Sequence, residues 1–278
     1  MISVIIPTFN RREMLKRAVD SVLEQTFEDW ELIVVDDGST DGSGEMLGQL
    51  PDGRIRCVRQ PHQGVSAARN HGIRLARHPW ICFLDSDDYW LPSKLQRQME
   101  TLGEHPSYRA VFTDEIWIRR GRRVNPRKTH RKYGGWIYRH CLPRCIISPS
   151  SILIHRDLID REAPFDEAFP ACEDYDLWLR LTARHPVFFL EEQLIVKTGG
   201  HSDQLSRSVW GLDRYRLRAL QSIHGSGRLT PQQWSWTTRE IVHKAAILAA
   251  GYGNRGKREE AEKYRHVLEE FMSSPDYS

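Results

Sequence analysis

Five mostly apolar residues, Trp80-Ile81-Cys82-Phe83-Leu84, run without a break into Asp85-Ser86-Asp87-Asp88. A short apolar run of this kind reads as a buried strand. Carboxylates at its C-terminal tip stand where open α/β sheets present their ligands. Three like charges held close repel one another and raise at least one pKa unless a cation is at hand. Mg²⁺ or Mn²⁺ would relieve them, since such ions take one or two carboxylates plus substrate phosphates. An acidic turn or a helix N-cap uses the same residue types. Asp-Ser-Asp-Asp alone therefore leaves both readings open, and the rest of the chain decides.

The segments around this run alternate. Ile2-Ser3-Val4-Ile5-Ile6, closed by Pro7, predicts a strand, and Leu15, Ala18, Val19, Val22 and Leu23 predict a helix over 12–25. Trp30 to Val35 predicts a second strand, ending in Asp36-Asp37-Gly38-Ser39. Thr40 or Asp41 can cap a short helix to Leu50. A strand over 55–59 and a helix over 64–77 lead back to the strand ending at Leu84. Such alternation implies right-handed βαβ units, hence an α/β fold with a mainly parallel sheet and helices on both faces. No Gly-x-x-x-x-Gly-Lys loop occurs, and no Gly-x-Gly-x-x-Gly follows the first strand.

Beyond residue 92 the pattern predicts a helix to about Glu104 and a strand over 109–113. From Arg119 to Lys132 eight of fourteen residues are Arg or Lys, interrupted by Gly121, Asn125 and Pro126, which reads as a loop between elements. A short helix, a strand over 151–155, a helix over 173–184 and a hairpin of 187–190 with 194–197 follow. Helices are expected over 211–224, 231–250 and 256–272.

A formal net charge of +3 is too small to argue for nucleic acid by itself. No run of eighteen apolar residues suggests a membrane span. Met1-Ile2-Ser3 leads straight into a strand, so no secretory signal is expected. Cys57, Cys82, Cys141, Cys145 and Cys172 lack metal-type pairing and read as free thiols of a reducing cytoplasm.

Val4-Ile5-Ile6-Pro7-Thr8-Phe9-Asn10, Val34-Val35-Asp36-Asp37-Gly38-Ser39, Gly64-Val65-Ser66-Ala67-Ala68-Arg69-Asn70 and Phe83-Leu84-Asp85-Ser86-Asp87-Asp88 stand in one order, followed by Glu173-Asp174-Tyr175-Asp176-Leu177-Trp178. In spacing, strand placement and order this set resembles the family 2 glycosyltransferases, inverting enzymes with the GT-A fold, over about residues 1–205. The resemblance implies a nucleotide-binding half over 1–115, an acceptor-binding half over 116–210, and a helical C-terminal extension over 211–278 that it does not cover.

The resemblance also implies roles. Pro7 and Thr8 would lie beside the nucleotide base, with Arg69 near the nucleotide. Asp37 can accept the N–H of uracil or thymine, or of guanine, while Asp36 reads as a turn former. Asp85 would face ribose or metal-bound water, Ser86 would join the nucleotide site, and Asp87 would ligate the metal. Asp88 would cap the next turn. Asp174 would be the base that takes the acceptor hydroxyl's proton, although acids also favour a helix N-terminus. His201, with Ser202 and Ser206, is a candidate ligand of metal or phosphate. Trp178 would either stack on an acceptor sugar or join the core.

The expected reaction moves a sugar from a nucleoside-diphosphate sugar to a hydroxyl of a glycan or lipid-linked acceptor, with Mn²⁺ or Mg²⁺. A UDP-sugar is favoured, and dTDP- or GDP-sugars also fit. The protein is expected in the cytoplasm, with peripheral contact at the inner face of the membrane through the basic segment as a further expectation. No nucleic-acid partner is expected, and the C-terminal helices are a candidate surface for a second copy. The alternatives are a nucleotidyltransferase, which would want a Gly-rich basic loop after the first strand, and a non-enzymatic anion or nucleic-acid binder.

Overall fold

The computed structural model describes residues 1–48, 52–125, 130–159, 164–200 and 209–273. Strand β1 (Ile2–Thr8) has all seven residues buried, as a run apolar on both faces requires. It pairs in parallel with β2 (Trp30–Asp36) on one side and β4 (Trp80–Phe83) on the other, and β3 (Ile55–Arg59) extends the sheet beyond β2. The helices α1 (Arg12–Leu23), α2 (Ser43–Leu47) and α3 (Val65–Leu75) supply the crossovers that parallel pairing demands. Successive residues of β1 feed opposite faces: Ile5 joins one apolar cluster with Phe83 and Tyr175, while Val4 and Ile6 join another with Leu15 and Leu95. Gly72 of α3 sits so close to β1 that an added Cβ would lie 2.4 Å from Ile5 Cγ2. The carboxyl ends of β1 and β2 finish level, Thr8 beside Asp36, and Asp37 N–H donates to Thr8 O.

The second half of the sheet mixes directions. Its strands are β5 (Tyr89–Trp90), β6 (Ala110–Arg119), β7 (Arg122–Val124), β8 (Ile152–His155) and β9 (Phe188–Gly199). The order is β3-β2-β1-β4-β8-β6-β9-β5, with β7 on β6. β8 runs antiparallel to β4 and β6, and β9 runs parallel to β6. After Asp88 the chain crosses to pair β5 with β9, which sets the acidic turn between β4 and the end of β9.

Two expectations are corrected here. The predicted hairpin over 187–197 is one long strand, because both of its halves pair with β6 and the mismatch is absorbed by register shifts around Asp114. The basic segment is not wholly a loop: β6 continues to Arg119, turns at Arg120-Gly121 and returns as β7. The expected division at residue 115 therefore falls inside a strand.

Helices α4 (Lys94–Glu104), α5 (Tyr138–Cys141) and α6 (Glu173–Thr182) flank the sheet. The C-terminal helices are α7 (Leu212–His224), α8 (Pro231–Gly253) and α9 (Arg258–Met272). Leu217, Leu220, Ile241, Ala245 and Leu248 share the cluster that holds Ile5 and Trp178, so α7 and α8 pack on this chain's own core. Thr230 and Gln233 form a capping box at the start of α8.

Candidate active site

The turn after β4 gathers the acids. Asp85, Asp87 and Asp88 each offer a carboxylate oxygen within 4.8 Å of the others. Asp85 N–H donates to Ser150 Oγ (3.1 Å), and Asp85 Oδ1 receives Arg69 Nη2 at 2.6 Å. Asp87 Oδ2 lies 3.4 Å from Arg11 Nη1, while its carbonyl accepts from Arg17 and from Thr198 Oγ1. Ser86 is buried between them. Asp88 does not cap the next turn. It is 2 % exposed and accepts from Ser150 Oγ (2.7 Å) and Thr198 N–H (3.0 Å), so it straps the turn to β9. Burial, then the charge of Asp87, pushes its carboxyl well up despite the nearby Lys197. Three crowded hard oxygen donors, one already driven toward protonation, suit a divalent cation.

Across the same cavity stands the start of α6. Cys172, the residue before it, adopts a left-handed backbone at φ 67°. Glu173 is buried, and its Oε1 accepts from Arg69 Nη1 at 2.6 Å. Arg69, 3 % exposed, thus spans Asp85 and Glu173, with its guanidinium 5.1 Å from the Phe165 ring centre. Burial disfavours its charge, but Asp85 and Glu173 more than compensate and hold its pKa above the ordinary value. Glu173 is itself pushed up, since burial outweighs the pull of Arg69. Asp174 faces the cavity and its Oδ2 lies 3.3 Å from the Cys145 thiol, which donates to it. Burial first, then Asp174, drives the Cys145 thiol well up, so it stays a neutral donor.

At the far end Pro7, Thr8 and Asp37 line the cavity. Thr8 Oγ1 is buried without a hydrogen-bond partner. Asp37 has four protein partners: Gln60 Nε2 (2.8 Å), Gln63 N–H (2.9 Å), Gly64 N–H (2.8 Å) and His62 Nδ1 (2.8 Å). It therefore holds the 60–64 loop ahead of α3, work that its place after β2 does not reveal. His62 stacks on Phe9, ring centres 4.0 Å apart.

The cavity measures about 1460 Å³ and brings together Pro7, Thr8, Asp37, Arg69, Asp85, Ser86, Asp87 and Asp174. It also contains residues the sequence reading did not single out. Lys197 of β9 lies among Glu115, Asp88, Asp85 and Asp174; burial works against its charge, yet Glu115 first and those aspartates next raise its pKa. Glu115 receives Lys132 Nζ at 3.1 Å. Burial opposes ionisation of Glu115, but Lys197 and Lys132 hold its carboxyl down at about 2. The Lys132 pKa is lowered as well, because burial outweighs its attraction to Glu115. Trp117 donates Nε1–H to Glu115 Oε1 (2.9 Å) and faces His130, ring centres 5.0 Å apart. A Lys at the end of an apolar run and acids alternating with Trp on a strand were the available clues, but they mean nothing until β6 and β9 pair. Trp178 is 1 % exposed and belongs to the core, not to a sugar platform. Asp36 accepts Ser39 N–H (2.8 Å) in a turn. His201, Ser202 and Ser206 lie outside the described residues.

Parallel strand ends, a cation-ready acid cluster and a separate carboxylate across one cavity mark a transferase of the GT-A class. The family model for glycosyl transferase family 2 matches residues 3–156, and the chain belongs to that family. Among its relatives is the Escherichia coli UDP-Glc:alpha-D-GlcNAc-diphosphoundecaprenol beta-1,3-glucosyltransferase WfaP, 31% identical over 190 residues, which are 66% of this chain and 71% of that one. Another, WfgD of Escherichia coli, carries the same activity in its name and is 30% identical over 188 residues, 65% and 69% of the two chains. S. aureus TarS 1-349 in complex with UDP-GlcNAc superposes with a TM-score of 0.67 at 18% identity, covering 97% of this chain and 91% of that one. The mannosyltransferase PcManGT from Pyrobaculum calidifontis, in complex with GDP-Man and Mn²⁺, gives 0.57 at 16% identity, covering 98% and 87%. At such identities the two structures speak for the fold alone. Among the described residues no helix is long and apolar enough to cross a membrane.

Proposed function

We propose that this glycosyltransferase moves a sugar, with inversion, from a UDP-sugar to a hydroxyl of a lipid-linked glycan, with the help of a divalent cation. The observation that carries the reading is that Asp174 and the Asp85-Asp87-Asp88 cluster line one cavity, although they lie far apart in the chain. The relatives WfaP and WfgD, named for UDP-Glc and a diphosphoundecaprenol acceptor, support the donor and acceptor class. The other nucleoside diphosphates considered, dTDP and GDP, are competitors in the test below.

Residues 1–115 would hold the donor. Pro7, Thr8 and Asp37, which line the cavity, would meet the base. Arg69 would act through the two carboxylates it binds. Ser86 would border the ribose and diphosphate, and Asp85 and Asp87 would hold Mn²⁺ or Mg²⁺, backed by Asp88. The cation would supply charge neutralisation for the departing diphosphate. Residues 116–210 would hold the acceptor. Asp174 accepts the hydroxyl proton as that oxygen bonds to the anomeric carbon from the face opposite the diphosphate. The bond from that carbon to the diphosphate oxygen breaks, and the electron pair leaves with UDP. Lys197 is suited to meet the charge that develops there. His201 would be a further ligand of metal or phosphate. A diphospholipid acceptor would place the protein in the cytoplasm at the inner face of the membrane.

The test is UDP release from UDP-glucose, with dTDP- and GDP-sugars alongside, in Mn²⁺ or Mg²⁺. Asp174→Asn should lower turnover roughly 10²–10⁴-fold, the usual worth of a general base, with UDP affinity unchanged. Release of pyrophosphate instead of UDP would point to a nucleotidyltransferase, and intact turnover in the variant would remove Asp174 from the base role.

A further inference from the structure

The β6–β7 hairpin carries an unbalanced charge one strand step beyond Trp117, the last residue of β6 that lines the cavity. Side chains alternate along a strand, and the contacts on β6 fix which face is which. Trp117 donates to Glu115, and the Arg119 guanidinium lies 5.3 Å from the Trp117 ring centre, so Glu115, Trp117 and Arg119 share one face. Glu115 and Trp117 line the cavity, and that face is therefore the cavity face. Across the hairpin Arg119 stands directly opposite Arg122, on the same face. Ile118 stands opposite Arg123 on the other face, where Arg123 Nη2 bonds Gln193 Oε1 at 2.9 Å.

Arg119 and Arg122 are exposed, and among the described residues neither has an acidic partner. Like charges directly opposite on a ladder are unfavourable. An anion between the two guanidinium groups removes the repulsion, and a phosphate is the anion whose geometry guanidinium matches. Arg119 stands opposite Gly199, next to the Thr198 that bonds Asp88, so the pair borders the donor's diphosphate subsite, and saturation with UDP in the experiment below separates the two.

We propose that Arg119 and Arg122 bind the diphosphate of the lipid-linked acceptor and so hold its sugar hydroxyl toward Asp174. This rests on the acceptor class proposed above. Arg119 and Arg122 are acceptor-binding residues, Trp117 is the wall between them and the acid floor, and Arg123 has no part.

The experiment is calorimetric binding of a GlcNAc-diphosphate ester of a short alkyl chain, kept below micelle formation, to protein saturated with UDP and Mn²⁺. Saturation closes the donor subsite to the probe. Arg119→Ser and Arg122→Ser should each weaken binding about tenfold or more, the ordinary worth of a charged hydrogen bond. Arg123→Ser should stay within about twofold on the same scale. The alkyl glycoside of GlcNAc, lacking phosphates, should bind all variants alike. The inference falls if wild type does not bind the ester, if Arg123→Ser weakens it as much as the other two, or if the glycoside loses as much as the diphosphate. It falls also if the loss shows only on vesicles of anionic phospholipid, which would make the membrane surface the partner. UDP release from UDP-glucose in water, measured on the same preparations, reports the proposed reaction independently: its absence refutes that reading, whereas UDP release with indifferent arginines refutes only this one.

Discussion

Replacing Arg69 by Met should destabilise the protein in a way that depends on pH. The side chain bonds Glu173 and Asp85 at 2.6 Å each, with Glu173 6% and Asp85 26% exposed in their side chains. Met fills similar space over Phe165 but leaves Glu173 as a buried carboxylate without its cation. Removing one partner of a buried pair costs on the order of 3–5 kcal/mol when the other stays charged. Glu173 has an escape, because it can take up a proton on folding. From an ordinary value of 4.5, protonation at pH 7 costs about 3.4 kcal/mol at 1.36 kcal/mol per pH unit. Asp85 reaches solvent and adds little. Because the wild-type carboxyl is itself pushed up, the expected loss is at most about 3 kcal/mol at pH 7 and at most about 1 kcal/mol at pH 5. The sign follows from the protons: folded variant binds one that the unfolded chain has released above pH 4.5, so its stability falls as pH rises. Urea unfolding of wild type and variant at both pH values measures this. Adding Glu173→Gln to Arg69→Met should recover most of the loss at pH 7. A loss independent of pH, or no rescue by the second substitution, would refute the account of Arg69 as the partner that offsets the burial of Glu173.

Glu115→Gln should cost on the order of 3 kcal/mol near pH 6, because Lys197 and Lys132 hold the native carboxyl at about 2 against an ordinary 4.5. That stabilisation is present above pH 4.5 and is lost as pH falls through 2, so wild type and variant should converge toward pH 2 in urea or thermal unfolding. Gly72→Ala should lower Tm despite the better helix former, since the new methyl meets Ile5 Cγ2 at 2.4 Å and overpacking costs roughly 1–3 kcal/mol; a raised Tm would contradict the packing. Asp87→Asn should abolish Mn²⁺ binding in the presence of UDP, read by titration calorimetry, while the far-ultraviolet circular dichroism stays native; full UDP release in excess EDTA would dispose of the metal's role.

Local pattern sufficed for the first half of the molecule. Ile2 to Ile6, Trp30 to Val35 and Trp80 to Leu84 are apolar on both faces, which only a covered parallel strand can bury, and each ends in the polar residues that line the cavity. Parallel strands put those ends on one edge, so the pattern alone makes Thr8, Asp37, Asp85 and Asp87 neighbours. The five motifs in order also marked the family and pointed to Asp174. What the sequence did not disclose depends on pairing across long separations. Arg69 meets Glu173 across 104 residues, and nothing near either residue specifies the other. Whether 187–197 forms a hairpin or a single strand turns on β6 tolerating a shifted register, which residues 191–193 do not encode. That one strand carries Lys197 into the acid cluster and lets Thr198 strap Asp88. The basic segment likewise showed its charge in the sequence, but only the ladder of β6 and β7 sorts Arg119 and Arg122 onto the cavity face and Arg123 away from it. Periodicity is a local property of the chain, whereas register and face are settled by which strands meet.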